Sequence, residues 1–178
     1  MRFLILLYLL LASPSLAKDS IRALIIDGRN NHDWRATTDY LRATLDATGR
    51  FDVTVSTAPQ LEFPRVPHRA SRPEDEADYP EAKKQFEAPL AAAREELKPR
   101  WEAWMPDFSA ADLVILNYNG EDWPKKMQTA FLNFVKEGGG VVLVHGANNP
   151  FRNWIEFNEM IGLGWRPAPV GRAIKIDP

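Results

Sequence analysis

Two of the three histidines in the chain, His32 and His145, stand where a side chain can reach a ligand. Each follows a short apolar run. Ile21 to Ile26 leads through Asp27 and Gly28 toward His32, and Val141 to Val144 runs directly into His145. An imidazole takes and gives protons near neutral pH and also ligates transition metals. A facing pair therefore fits general acid/base work, with a divalent metal held through His32 and His145 as the alternative. A two-histidine metal site needs a third ligand, so acid/base or hydrogen-bonding work is the preferred reading. Taken singly, each histidine reads equally well as a hydrogen-bonded turn residue. His68 falls in a proline-rich stretch and receives no role.

The neighbours of the two histidines extend the candidate site. Asp33 could orient His32 or face solvent, and Asp27 could serve as a functional carboxylate or only close the turn after its strand. Trp34 and Trp123 are placed to stack on the apolar face of a sugar ring, or else to pack loops over a sheet. Asn119, Asn148 and Asn149 suit hydroxyl recognition, although asparagine also serves turns with unusual backbone angles. Glu121 and Asp122 could supply an acid, or could be charges favoured at a helix N-terminus. The catalytic candidates are thus His32, His145 and Asp33, and the substrate-binding candidates Asp27, Trp34, Asn119, Trp123, Asn148 and Asn149.

Several chemistries lack their residues. The chain has no cysteine, so no thiol nucleophile. It has no G-x-S-x-G elbow, no G-x-G-x-x-G and no Walker loop. Gly138-Gly139-Gly140 precedes a strand-like run, whereas a phosphate loop precedes a helix. A net charge of -2 offers no basic footprint for nucleic acid or an anionic membrane surface. Six tryptophans are many for so short a chain, and some are expected to line a cleft.

The elements that must position these residues read as alternating strands and helices. Ile21–Ile26 is a buried parallel strand by its unbroken apolar run, and Phe51–Val55 alternates as a second. Between them, Tyr40, Leu41 and Leu45 mark a helix over 37–48 that stops at Gly49. Strands over 112–117 and 141–145 flank a helix opened by Pro124. A short helix over 151–160 follows, and 172–176 looks like the start of another strand. Residues 59–106 form an excursion that holds more than half of the fourteen prolines. It carries a helical piece at about 81–104 interrupted by Pro89 and Pro99, and 64–78 reads as mobile. Each link between strands has the length of a helix, which predicts a parallel sheet in the order second, first, third, fourth, with helices on both faces. Val114, Ile115, Val142 and Leu143 are the expected centre of its core. In such sheets ligands bind beyond the carboxyl ends of the strands, and there the polar segments after the first, third and fourth strands converge.

The N-terminus has the features of an export signal. Met1-Arg2 is followed by the apolar run Phe3–Ala12, and Ser15 and Ala17 are the small residues of a cleavage site. About ten apolar residues fall well short of the roughly 20 that span a bilayer. The expectation is a signal peptide over 1–17, a domain over 18–178, and a secreted or periplasmic protein with no membrane attachment once the signal is removed.

Taken in order, the blocks at the strand ends resemble the ThuA-like family, named for trehalose utilisation. The blocks are Ala23–Gly28 with Asn31-His32-Asp33-Trp34-Arg35, then Asp112–Gly120, Phe131–Gly140, Val144–Asn149, and Trp154 with Glu156–Arg166. The resemblance implies a three-layer α/β/α, flavodoxin-like fold of the class I glutamine amidotransferase type. His145-Gly146-Ala147 then stands where those enzymes keep a cysteine elbow. It further implies a role in carbohydrate metabolism with a small-molecule carbohydrate as partner, in a family whose reaction is poorly defined. With histidine acid/base chemistry or a metal, the expected enzyme is of hydrolase or lyase type acting on a sugar or glycoside. A non-catalytic sugar-binding module and an inactive truncated homologue are the alternatives. Such domains usually run longer, with further strands and a later histidine-containing segment, so the fold is expected to be incomplete at its C-terminal side.

One expectation is testable on the chain itself. Expressed in a host that exports it, the mature protein should begin at Lys18. N-terminal sequencing of the exported material checks this, and an intact Met1 there would contradict it.

Overall fold

A computed structural model describes residues 20–61, 79–162 and 164. The segments read above as signal peptide (1–17), mobile stretch (64–78) and last strand (172–176) lie outside the described residues. No helix among the described residues is long and apolar enough to cross a membrane.

The chain alternates strand and helix. In order come β1 (Ile21–Asp27), α1 (Trp34–Ala47), β2 (Phe51–Thr57), α2 (Tyr79–Ala103), β3 (Leu113–Leu116), α3 (Lys125–Lys136), β4 (Gly140–Leu143) and α4 (Ile155–Ile161). The four strands form one parallel sheet in the order β2-β1-β3-β4, as the helix-length connections require. β1 pairs along its whole length with β2, and Ala23–Ile26 pair with Leu113–Leu116 of β3. At the sheet's lower end Asp112 accepts bonds from the backbone N–H and guanidinium of Arg22 at 2.6–3.1 Å. Those bonds hold its carboxyl at about 2, well below the ordinary carboxylate range.

Two-residue periodicity sends alternate side chains to opposite faces. Ala23, Ile25 and Ile115 meet Leu41 and Leu45 of α1 on one side. Leu24, Ile26, Val114 and Leu116 meet the aromatic side chains of α3, α4 and their loops on the other. This second face is much the richer, with Phe108, Trp123, Phe131, Phe134, Phe151, Trp154 and Phe157 in one connected cluster. The result is a three-layer α/β/α molecule of flavodoxin-like type.

Local chemistry explains where the helices differ from the sequence reading. α1 begins at Trp34, three residues before the expected Thr37, because the Asp33 carboxylate accepts from the Ala36 N–H at 3.1 Å and caps the helix. α2 is one helix that runs through both Pro89 and Pro99. Its end is tied down where the Trp104 indole N–H donates to Ser56 Oγ at 3.0 Å. Gly28, at φ +123°, turns the chain out of β1 so close to β2 that a Cβ would lie 2.7 Å from the Ala58 nitrogen.

The expected core needs one correction. Val114 and Ile115 are buried, at 0% and 4% exposure, but Val142 is 46% exposed and Leu143 only partly covered. β4 is the edge strand of the described sheet, and α1 covers β1 and β2 on the face that Val142 shares with Ile115. Ile115→Ala should therefore cost about 2–5 kcal/mol through lost transfer energy and the cavity left behind. Val142→Ala should cost less than about 1 kcal/mol. Urea unfolding of the two variants checks this, and equal losses would contradict the difference in burial.

Candidate functional site

Strand order reverses between β1 and β3, and in sheets of this kind ligands bind beyond the carboxyl ends of the strands at that point. The loop after β1 carries Asn30, Asn31 and His32. Asn117 and Asn119 follow β3, and a short 3-10 turn, His145–Asn148, follows β4. Although β3 separates β1 from β4, the loops lean together. The His32 and His145 rings lie 4.6 Å apart between centroids and tilt by 58°. Both side chains are exposed.

Carboxamides surround the pair. Asn31 Nδ2 lies 3.3 Å from His32 Nε2, and Asn31 Oδ1 accepts from Asn119 Nδ2 at 2.9 Å. Asn30 Oδ1 accepts from the His32 backbone N–H at 3.2 Å. Gly146 fits beneath these side chains. A Cβ there would meet Asn30 Oδ1 at 3.0 Å and Asn31 Oδ1 at 3.2 Å, so any larger residue would push the two carboxamides by a few tenths of an ångström. His145 itself has φ +41°, a left-handed backbone that side chains other than glycine seldom adopt. With the turn so shaped, the imidazole sits at the head of β4 beside His32.

Under the loops lies a buried polar chain. Asp27, at 1% exposure, accepts from the Thr38 hydroxyl at 2.7 Å. Thr38 in turn accepts from Asn117 Nδ2 at 3.1 Å, and Asn117 also donates to the Trp34 carbonyl at 2.9 Å. Asn30 Nδ2 reaches Asn117 Oδ1 at 3.4 Å, which links the buried chain to the loop that carries His32. Burial pushes the Asp27 carboxyl above its ordinary range, with the Thr38 hydrogen bond pulling the other way.

The remaining expected site residues divide. Trp34 is half-buried, with the Arg35 guanidinium 4.2 Å from its ring centroid, and it lines a cavity of about 640 Å³ between α2 and the loops after β1, β2 and β3. Trp123 is 2% exposed and packs among Tyr118, Phe131, Phe151 and Trp154. It packs the loop onto the core, so stacking on a ligand is not open to it in this arrangement. Asp33 spends its carboxylate on the helix cap, and Asp27 is too deep to touch a ligand at the histidine pair. Asn148 and Asn149 are half-buried in the turn after β4, which the Asn149 N–H closes onto the Gly146 carbonyl at 3.1 Å. Glu121 and Asp122 precede α3 and are not in its first turn. Glu121 pairs instead with Arg29 at 2.6 Å.

Asn30, Asn31, Thr38, Asn117 and Gly146 join the site without having been singled out from the sequence. The first two carried a visible signal, as paired asparagines beside a histidine. Thr38 and Asn117 did not, because each is defined by a partner about 80 residues away. As for a metal, no group of three His, Cys, Asp or Glu side chains stands together among the described residues. A cation at His32 and His145 would have to draw a further ligand from a carboxamide oxygen or from the substrate.

The fold is similar to that of a solved structure. A protein from Parabacteroides merdae described as ThuA-like is 31% identical to this chain and superposes with a TM-score of 0.58, over 82% of this chain and 39% of its own. No family model matches the chain, and no curated protein does. The fold is thus ThuA-like, and the chain spans 39% of the length of that protein.

The buried carboxyl generates a test. A carboxyl whose folded value lies above its unfolded one favours the fold fully below the unfolded value, about 3.9 for Asp. That contribution is lost as pH rises through the folded value. Asp27→Asn, which keeps an oxygen for Thr38 and removes the charge, should match the parent in acid and become the more stable of the two as pH rises. Melting temperatures across pH check the sign. A variant that is less stable at neutral pH would show that the fold uses Asp27 ionised.

Proposed function

We propose that this chain is a ThuA-like protein of carbohydrate metabolism that acts on a sugar or glycoside at the carboxyl ends of its parallel strands. The observation that carries the reading is the pair of exposed imidazoles 4.6 Å apart, ringed by the carboxamides of Asn30, Asn31 and Asn119. Carboxamides offer both donors and acceptors, which suits hydroxyl groups, and they carry no charge that a neutral sugar would have to match. The likeness to a ThuA-like protein supports the same direction.

The two imidazoles divide the proton work. One, neutral, takes a proton from a sugar hydroxyl or an attacking water, while the other, protonated, returns one to the departing oxygen. Asn31, bonded at His32 Nε2, and the 3-10 turn that carries His145 orient the two rings before substrate arrives. Asp27, Thr38 and Asn117 act as positioning residues, since they hold the loop and do not reach its surface. The apolar run Phe3–Ala12 and the small residues Ser15 and Ala17 support export, so the sugar would be met outside the cytoplasm.

Replacing both histidines, His32→Asn with His145→Asn, tests the assignment. Turnover on a panel of glycosides should fall by about 10²–10⁴-fold, the usual contribution of general acid/base groups. Sugar affinity should change by less than roughly tenfold, about 1.4 kcal/mol. Unchanged turnover would remove the histidines from the reaction. Sugar binding by the parent without turnover on any glycoside would make the protein a binding module.

A further inference from the structure

α2 turns a mixed face toward the sheet's carboxyl end. Leu90, Arg94, Leu97, Lys98 and Trp101 recur at helical spacing and line the cavity of about 640 Å³. Leu61 and Trp34 line it from the other side. Leu61, Leu90 and Leu97 are each half-buried, yet none belongs to either core cluster. The apolar surface that the described residues leave open on them faces the cavity, where contact with an apolar group would remove it from water. Asn30 also lines the cavity, and the same carboxamide accepts the His32 backbone N–H, so cavity and histidine pair adjoin through one residue.

We propose that this cavity holds the aglycone of a glycoside, an uncharged aromatic ring or an apolar group of similar size, while the sugar lies against His32 and His145. The proposal rests on the sugar reading of the histidine site and names the substrate class within it. A volume of about 640 Å³ falls in the range of pockets that enclose small organic ligands. Charge argues for a neutral occupant. Arg29 and Arg94 face Glu121 at 2.6 and 3.9 Å, Lys98 faces Glu95 at 4.0 Å, and Asp122 also lines the wall, so each cation has a carboxylate partner and an anionic group would meet carboxylates beside the cations. A second sugar could bond to Asn30 and Gln60, but its hydroxyls facing the three leucines would lose water and gain no hydrogen bond.

The experiment compares 4-nitrophenyl glycosides of common hexoses with the matching methyl glycosides, and with 4-nitrophenol alone, by calorimetric titration of the full chain. For any sugar that binds, the 4-nitrophenyl compound should bind roughly tenfold more tightly than the methyl one. The double variant Leu90→Gln with Leu97→Gln should bring that ratio to about one while leaving methyl glycoside affinity unchanged. The single variant Leu97→Ala, a milder change on an exposed helix, should lower the ratio in part and guards against a folding defect in the double variant. Methyl glycosides that bind as well as their aryl partners, or a ratio indifferent to both leucine variants, overturn the aglycone site alone. Leucine-dependent binding of 4-nitrophenol with no affinity for any glycoside overturns the sugar reading itself, and the aglycone assignment falls with it.

Discussion

The Thr38 hydroxyl is the joint on which the upper half of the molecule turns. It donates to Asp27 at the end of β1 and accepts from Asn117 at the end of β3, while Thr38 itself sits in the second turn of α1. One oxygen thereby fastens a helix to two central strands at the level where their loops begin. The bond to Asp27 is made away from water, where a lost partner is costly. Asn117 passes the constraint upward to Asn30, and Asn30 to the backbone of His32. The loop that presents His32 is thus held from below as well as along its own chain.

The two faces of the sheet contribute differently to this arrangement. Among the described residues, one side has α1 alone over aliphatic residues of β1 and β3, with thinner packing toward β4. On the other, the aromatic cluster from Phe108 to Phe157 fastens α3, α4 and the end of α2 to the sheet. Buried aromatic rings carry large apolar areas and prefer edge-on or offset contacts, and the Trp123 ring meets Phe131 at 87° and 5.6 Å. Rigidity is therefore concentrated beneath the loops after β3 and β4. The loop after β1 depends on the polar chain instead. The site joins a loop fixed by packing to a loop fixed by hydrogen bonds.

Much of this was legible in the sequence, and the residues show why. The apolar runs before Asp27, Asn117 and His145 announce buried parallel strands, and the helix-length links between them dictate strand order. Placing His32 and His145 on converging loops required only that order and the direction of the strands. The errors arose where distant neighbours decide the outcome. Val141-Val142-Leu143-Val144 reads as a central strand, but which helix covers it is not written in those four residues. Trp123 has the composition of a stacking platform, and its burial follows from aromatic partners that come from three other segments. With the helix expected from Thr37, Asp33 read as a partner of His32 or a solvent-facing charge, and its capping role follows only from the earlier start of α1 at Trp34. Thr38 and Asn117 could not be paired without the fold, because nothing local marks them.

The backbone at His145 has a consequence for anyone who would improve this protein. Holding a bulky residue at φ +41° costs on the order of 1–2 kcal/mol relative to glycine, which takes that conformation freely. A library sorted for heat resistance alone would therefore enrich glycine at this position and discard the imidazole with the strain. Thermal robustness and the ring at the head of β4 compete for the same residue, a trade familiar where a working group is kept against the preference of the chain. Sturdier variants obtained in that way would keep their shape and lose half of the histidine pair.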